Sequence, residues 1–391
     1  MSASPSVNWG YPTTVRFGAG RIAELPRACA AAGITRPLFV TDAGLKELPI
    51  TKAARGLLAD AGFFAEVKAN PVDDNVEAGV RAFRDGGHDG VVAFGGGSAL
   101  DVGKCVAFMA GQTRPIWDFE DVDDWWKRAD TAGIAPVVAV PTTAGTGSEV
   151  GRAGVITNSA THTKKVIFHP RMLPAVVISD PELTLGVPPT ITAGTGMDAL
   201  AHCLEAYFSP MFHPMSEGIA VEGARLVKEA LPRAVADGQD LEARAWLLAA
   251  ASMGAVAFQK GLGAIHSVSH PVGAIYDTHH GLTNAVFMPY VLAFNRPAIE
   301  SKAARLAAWL GLARQDLDGL IDWVLALRDA IGVPHTLAGL GVDGARFREM
   351  AEMAVVDPTA SGNPVPLDVD AALAIFEAAA SGELPSSTCA L

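Results

Sequence analysis

The sequence predicts two domains of different class: an α/β domain with a parallel sheet over residues 1–187, and an all-α domain over residues 188–391. Three observations carry this. The chain has 391 residues, more than one hydrophobic core usually serves. Its first half alternates short apolar runs with helical patterns of about a dozen residues, as strands joined by crossover helices do. After Pro188-Pro189 the short runs stop, and apolar residues recur at three- and four-residue spacing.

The elements follow in order. Gly18-Ala19-Gly20 turns the chain into the helix RIAELPRACAAAG. Arg36-Pro37 leads into the strand LFVTD, and LPITKAARGLLADAG follows as a helix. FFAEVKAN is a second strand, and NVEAGVRAFRDGGHDG a helix closed by glycines. VVAF, PVVAVPTT and AVVISD complete the parallel sheet. The segment 118–130 is acidic, carries Trp125 and Trp126, and reads as a surface loop or short helix. Beyond the boundary, AGTGMDALAHCLEAYF, GIAVEGARLVKEAL, LEARAWLLAAASMGAVAF, IESKAARLAAWLG and ALAIFEAAA all read as helices.

Composition narrows the function. Half the residues are apolar and 18% are charged, which excludes a disordered chain. A formal charge of −12 repels phosphate backbones, so nucleic acid is not an expected partner. No stretch reaches the roughly 18 uninterrupted apolar residues of a membrane span. The start, MSASPSVNWG, lacks an export signal, and Cys29, Cys105, Cys203 and Cys389 form no CxxC pair. A cytoplasmic protein with reduced thiols is expected.

Ligands of open parallel sheets bind beyond the carboxyl ends of the strands. Three features fall there. Asp42 closes LFVTD, Gly95-Gly96-Gly97-Ser98 follows VVAF and opens the helix ALDVGKCVAF, and Thr142-Thr143-Ala144-Gly145-Thr146-Gly147-Ser148 follows PVVAVP. Glycines let a backbone approach a pyrophosphate, and a helix start offers free N–H groups. Ser98 can cap that helix or donate to a phosphate, and the threonine hydroxyls can reach phosphate, ribose or nicotinamide. Asp42 can accept from a ribose hydroxyl and repel a 2′-phosphate, which favours NAD over NADP. Each feature alone also reads as an ordinary turn, and GGGS is not the GxGxxG fingerprint. Their coincidence on one sheet points to a dinucleotide.

The second half carries a metal pattern. Asp198 and His202 stand four apart on a helix, so both side chains reach one ion. GAIHSVSHPVGAIYDTHHG then supplies His266, His270, His279 and His280. Imidazoles with one carboxylate suit Fe²⁺, Zn²⁺ or another first-row divalent ion. Spacing alone leaves open which of the four histidines are ligands. Such an ion makes an alcohol more acidic and polarises an aldehyde, and a spare histidine can relay the proton.

At this point the chain resembles the iron-containing alcohol dehydrogenases. GGGSALDVGK, PTTAGTGSEV, DPELTLGVPP, GMDALAHCLEAY and HPVGAIYDTHHGLTNAVFMPY look like that family's signatures, in its order, over nearly the whole chain. The resemblance implies a dehydroquinate synthase-like fold, with an N-terminal dinucleotide-binding domain, a helical metal-binding domain and the site in the cleft between. It implies Asp198, His202, His266 and His280 as ligands, His270 as proton carrier, and no role for His279. For NAD it implies Asp42, Asn70, Gly96, Gly97, Ser98, Thr142, Thr143, Thr146 and Lys164. Fe²⁺ is the expected ion and Zn²⁺ the alternative, and a homodimer or larger homo-oligomer is the expected assembly.

AFQKGLGAIHSVSHP also looks like the 4-hydroxybutyrate dehydrogenases of the family, so an ω-hydroxy acid stands beside a simple primary alcohol as substrate. Arg152 can bind a substrate carboxylate, or it pairs with a surface acid or the cofactor phosphate. Two readings of other classes remain: a metal-dependent hydrolase or lyase, which leaves Asp42 and GGGS without use, and a nucleotide-binding protein without catalysis, which leaves the metal cluster without use.

Overall fold

The structure, a computed structural model, describes residues 10–384 apart from residues 12 and 162. The expectations for the first nine residues and for Cys389 lie outside the described residues. The chain forms two compact units, one spanning Tyr11–Gly186 and one beginning at Val187. Gly10 belongs with the second, where the Gln259 side chain pairs with both its N–H and its C=O.

The first unit is built on β1 (Thr14–Phe17), α1 (Leu25–Ala31), β2 (Pro37–Asp42), α2 (Pro49–Gly56), β3 (Gly62–Val67), α3 (Asp73–Asp85), β4 (Gly90–Gly95), α4 (Gly97–Met109) and β5 (Val137–Pro141). It continues through β6 (Ala153–Asn158), β7 (Thr163–Phe168) and β8 (Val176–Ser179). Six strands form one sheet in the order β1-β8-β5-β4-β2-β3, and every neighbouring pair is parallel. β4, β5 and β8 are buried along their whole length, which is why they read as continuous apolar runs. The core between this sheet and the flanking helices includes Leu25, Phe39, Phe94, Val140 and Ile178.

Three strands were not legible in the sequence. β1 is four residues long and mostly exposed, so no apolar period marks it. β6 and β7 form a separate antiparallel hairpin whose residues are largely half-buried. The helix expected over LPITKAARGLLADAG stops early at Gly56, and Asp60, at φ 58, turns the chain into β3. The acidic segment 118–130 forms short 3-10 turns over Ile116–Phe119 and Trp125–Arg128.

The second unit is all helical: α5 (Pro189–Phe208), α6 (Pro214–Ala236), α7 (Leu241–Ala257), α8 (Ala264–Tyr276), α9 (His280–Phe294), α10 (Arg296–Trp309), α11 (Leu317–Ala330), α12 (Phe347–Val355) and α13 (Val369–Ser381). α5 packs against α6, α7 and α9, and α8 packs against α9 and α12. Residues Leu241–Lys260 are long and apolar enough to cross a membrane. They instead bury Leu247, Leu248 and Ala251 against neighbours, as the core helix of a bundle does.

Candidate metal centre and nucleotide loops

Three helices bring the expected ligands together. α5 carries Asp198 and His202, α8 carries His266, and α9 starts on His280. Asp198 is 3% exposed, His202 5% and His266 2%. The Nε2 atoms of His202, His266 and His280 lie 3.9, 3.7 and 3.5 Å from Asp198 Oδ1. Ligand atoms of Asp198, His202 and His266 all fall within 4.8 Å of one another. Bonds of about 2.1 Å meeting near the tetrahedral angle place ligand atoms about 3.4 Å apart, so these spacings fit one shared ion.

The electrostatics agree. Burial opposes the charged form of Asp198, but His202, His280 and His266 outweigh it and hold the carboxyl below its usual range. Burial likewise opposes charge on His266, yet Glu205 and Asp198 raise its pKa to about 10. A pocket that holds a positive charge this firmly also attracts a divalent cation.

Sequence reasoning missed three residues here. Glu205, 6% exposed, places Oε2 2.5 Å from His266 Nδ1. The Asn284 Nδ2 donates to Asp198 Oδ1 at 2.8 Å and lies 3.3 and 3.2 Å from the Nε2 atoms of His266 and His280. Glu205 stands three residues after His202, and Asn284 four after His280, so helical spacing carried a signal for both. The third, Asp357, lies 2.8 Å from His270 Nδ1 through Oδ2 and also accepts from the Thr359 N–H and hydroxyl. It follows His270 by 87 residues, which no local pattern reveals.

The remaining histidines separate by role. The His270 ring stacks on His280 with centroids 5.4 Å apart and is half-buried, at the rim of the cluster. His279 is the N-cap of α9, and its Nδ1 accepts from the Leu282 N–H at 3.4 Å.

In the first unit, the loops after β2, β4 and β5 converge. A Cβ on Gly95 would meet Asp42 Oδ2 at 3.3 Å, one on Gly96 would meet Thr143 Oγ1 at 3.2 Å, and one on Gly97 would meet Thr146 Cγ2 at 2.5 Å. The Thr142 N–H donates to Gly95 O at 2.9 Å, while its side chain is buried. Asp42 also accepts from the Leu45 N–H at 2.9 Å, so its turn-forming role is real. Ser98 departs from one expectation. The N-cap of α4 is Gly96, and the Ser98 hydroxyl donates to Ala69 O at 2.5 Å rather than capping the helix. That bond ties the glycine loop after β4 to the turn bearing Asn70. Lys164 sits opposite Thr157 in the hairpin, and the Thr157 N–H donates to Pro71 O at 2.8 Å, which brings Lys164 toward the same turn.

Asp101, one turn into α4, accepts from Ser148 Oγ at 2.5 Å and from the Val155 N–H at 3.0 Å, locking the two loops together. Arg152 is exposed. Its guanidinium lies 6.0 Å from the Phe168 ring centroid and acts on the raised carboxyl of Asp121, which burial pushes up. This favours pairing with a surface acid. Trp125 carries Arg128 on its face at 4.1 Å, and Trp126 packs edge-on against His169, so both belong to a packed surface segment.

Two family models cover the chain: iron-containing alcohol dehydrogenase over residues 12–181, and the C-terminal domain of the Fe-containing alcohol dehydrogenase family over residues 192–380. The chain belongs to the iron-containing alcohol dehydrogenase family. It is 38% identical to a 4-hydroxybutyrate dehydrogenase of Cupriavidus necator over 371 residues, 90% of this chain and 94% of the relative. It superposes on a solved 1,3-propanediol oxidoreductase with a TM-score of 0.90 at 35% identity, covering 96% of this chain and all of the other. A sulfoacetaldehyde reductase of Bifidobacterium kashiwanohense, solved in complex with NAD+, matches with a TM-score of 0.88 at 30% identity over 97% of this chain and all of the other. The family, the two-part fold and the metal-dependent, NAD-linked alcohol oxidoreduction expected from the sequence all hold. The hydrolase, lyase and binding-only readings fall away.

Proposed function

We propose that this iron-containing alcohol dehydrogenase holds one divalent ion, Fe²⁺ or else Zn²⁺, with Asp198, His202, His266 and His280. With it the enzyme moves a hydride between NAD and a short primary alcohol or aldehyde that bears a second polar group at its far end. The observation that carries the reading is the convergence of three imidazole Nε2 atoms on one buried oxygen of Asp198. When bound, the ion makes the alcohol more acidic and polarises the aldehyde carbonyl. His270 is the proton carrier. Asp357 takes its Nδ1–H, so Nε2 is left to exchange the proton. The substrate class rests on relatives named for 4-hydroxybutyrate and 1,3-propanediol, each 38% identical.

Asp42, Asn70, Gly96, Gly97, Ser98, Thr142, Thr143, Thr146 and Lys164 bind NAD from the carboxyl edge of the sheet. A cytoplasmic homo-oligomer is the matching assembly, and the exposed Val15 and Phe17 on edge strand β1 support self-association. In the Gly97→Ala variant the new methyl displaces Thr146. Overpacking of about 1–3 kcal/mol should raise the KM for NAD roughly tenfold or more with a smaller change in kcat. An unchanged KM places Gly97 away from the cofactor.

The deciding experiment follows absorbance of reduced nicotinamide with NAD or NADP, with and without added Fe²⁺ or Zn²⁺. Substrates are simple alcohols, terminal diols and ω-hydroxy acids. Turnover with NAD that depends on metal and favours the diols or hydroxy acids is expected. No turnover under any metal removes the reading, and a preference for plain alkanols removes the substrate assignment.

A further inference from the structure

Glu205 divides its two carboxylate oxygens between two tasks. Oε1 accepts the Ile265 N–H at 2.6 Å and the His266 N–H at 3.4 Å, both in the first turn of α8. A helix start leaves such N–H groups without intrahelical partners and favours a negative charge nearby. Oε2 faces His266 Nδ1 at 2.5 Å. A carboxylate oxygen accepts from a ring N–H, so Nδ1 donates there, and once the ring gives up its other proton in favour of a metal the lone pair is confined to Nε2. Nε2 is the atom aimed at Asp198. The glutamate itself sits on α5, on the face that carries Asp198 and His202. One buried side chain thus joins the helix with two expected ligands to the start of the helix with a third.

We propose that Glu205 is a positioning residue for the metal: it fixes His266 in the tautomer that ligates through Nε2 and anchors α8 so that this nitrogen meets the ion. The inference rests on the metal reading above. Glu205→Gln separates the tasks. The amide oxygen can still accept from α8, but the NH₂ group turns toward His266 Nδ1, which must then accept. The ring proton moves to Nε2, where it blocks coordination. A comparison variant is Asn363→Ala, because Asn363 Oδ1 accepts the neighbouring Ala264 N–H at 3.0 Å in the same helix start, while His266 Nδ1 faces Glu205.

Zn²⁺ affinity is measured by chelator competition, and thermal melting is followed with metal removed. Glu205→Gln should bind Zn²⁺ about 10–100-fold more weakly than the parent, on the scale of losing a partner behind a metal-ligating histidine. Asn363→Ala should melt earlier yet keep its affinity within about threefold. Affinity of Glu205→Gln within about threefold of a Zn²⁺-binding parent overturns the proposal. So does an equal loss in Asn363→Ala, which would trace the effect to a loosened α8. A parent that binds no Zn²⁺ removes the metal reading and this inference with it. One measurement needs no variant: in the zinc-loaded parent, histidine ring ¹⁵N spectra should show His266 ligated through Nε2 with Nδ1 protonated, and ligation through Nδ1 overturns the proposal.

Discussion

His266→Ala should lose its metal and at least about a thousandfold of turnover, the scale of the several kcal/mol a metal supplies to such a transition state. His266 stands between two buried carboxylates, Glu205 and Asp198, and contacts both. Among the described residues, its ring is the one that ion-pairs with both, so alanine leaves two acids facing a cavity. An uncompensated buried charge costs about 3–5 kcal/mol, so the variant should also melt earlier. The pH dependence has a definite sign. Burial lowers the His266 pKa, but the two acids outweigh it and raise it to about 10 in the folded protein. A raised pKa contributes stability that is complete below the unfolded value near 6.5 and is lost as pH rises through about 10. With metal chelated, the gap in melting temperature between parent and variant should therefore be widest at about pH 6 and shrink toward pH 10. Metal analysis after dialysis and calorimetry at several pH values check both parts. Full metal content in the variant removes His266 from the ligand set.

The same residue shows where sequence reading stops. The Asp198–His202 pair was legible because four residues on a helix is a fixed geometry. The choice among His266, His270, His279 and His280 was not, because it depends on which rings the fold brings to Asp198 and on partners distant in the chain. Glu205 claims Nδ1 of His266, Asp357 claims Nδ1 of His270, and the Leu282 N–H occupies Nδ1 of His279. Those partners lie 61, 87 and 3 residues away. The family resemblance chose among the histidines; in the fold, the Nε2 atoms of His202, His266 and His280 lie 3.5–3.9 Å from Asp198 Oδ1, while His270 pairs with Asp357. The sheet was legible for the converse reason: strands buried on both faces write themselves as apolar runs. β1 and the β6–β7 hairpin are exposed or half-buried and leave no such trace. Ser98 was legible as a loop residue but not in its bonding, since its acceptor, Ala69 O, belongs to another loop.

His270→Ala should do the opposite of His266→Ala: keep the metal and lose the proton path. Its ring stacks on His280 but meets Asp357 rather than Asp198 in its hydrogen bond, so its removal takes no donor from the cluster. Loss of a positioned acid–base group costs about 10²–10⁴-fold in turnover, with metal content unchanged. Asp357→Asn tests the same path more gently. The asparagine oxygen can still serve the Thr359 N–H, while its NH₂ group turns the His270 Nδ1 into an acceptor and places the ring proton on Nε2. In that tautomer Nε2 cannot take the proton released by an alcohol, so oxidation should slow by about tenfold or more, and aldehyde reduction, which runs through the same proton step in reverse, should slow alike. Substrate affinity should change little in both variants, because the effect falls on kcat. Metal loss in His270→Ala would instead place His270 among the ligands, and unchanged turnover in Asp357→Asn with an earlier melting point would assign Asp357 to packing rather than to the orientation of His270.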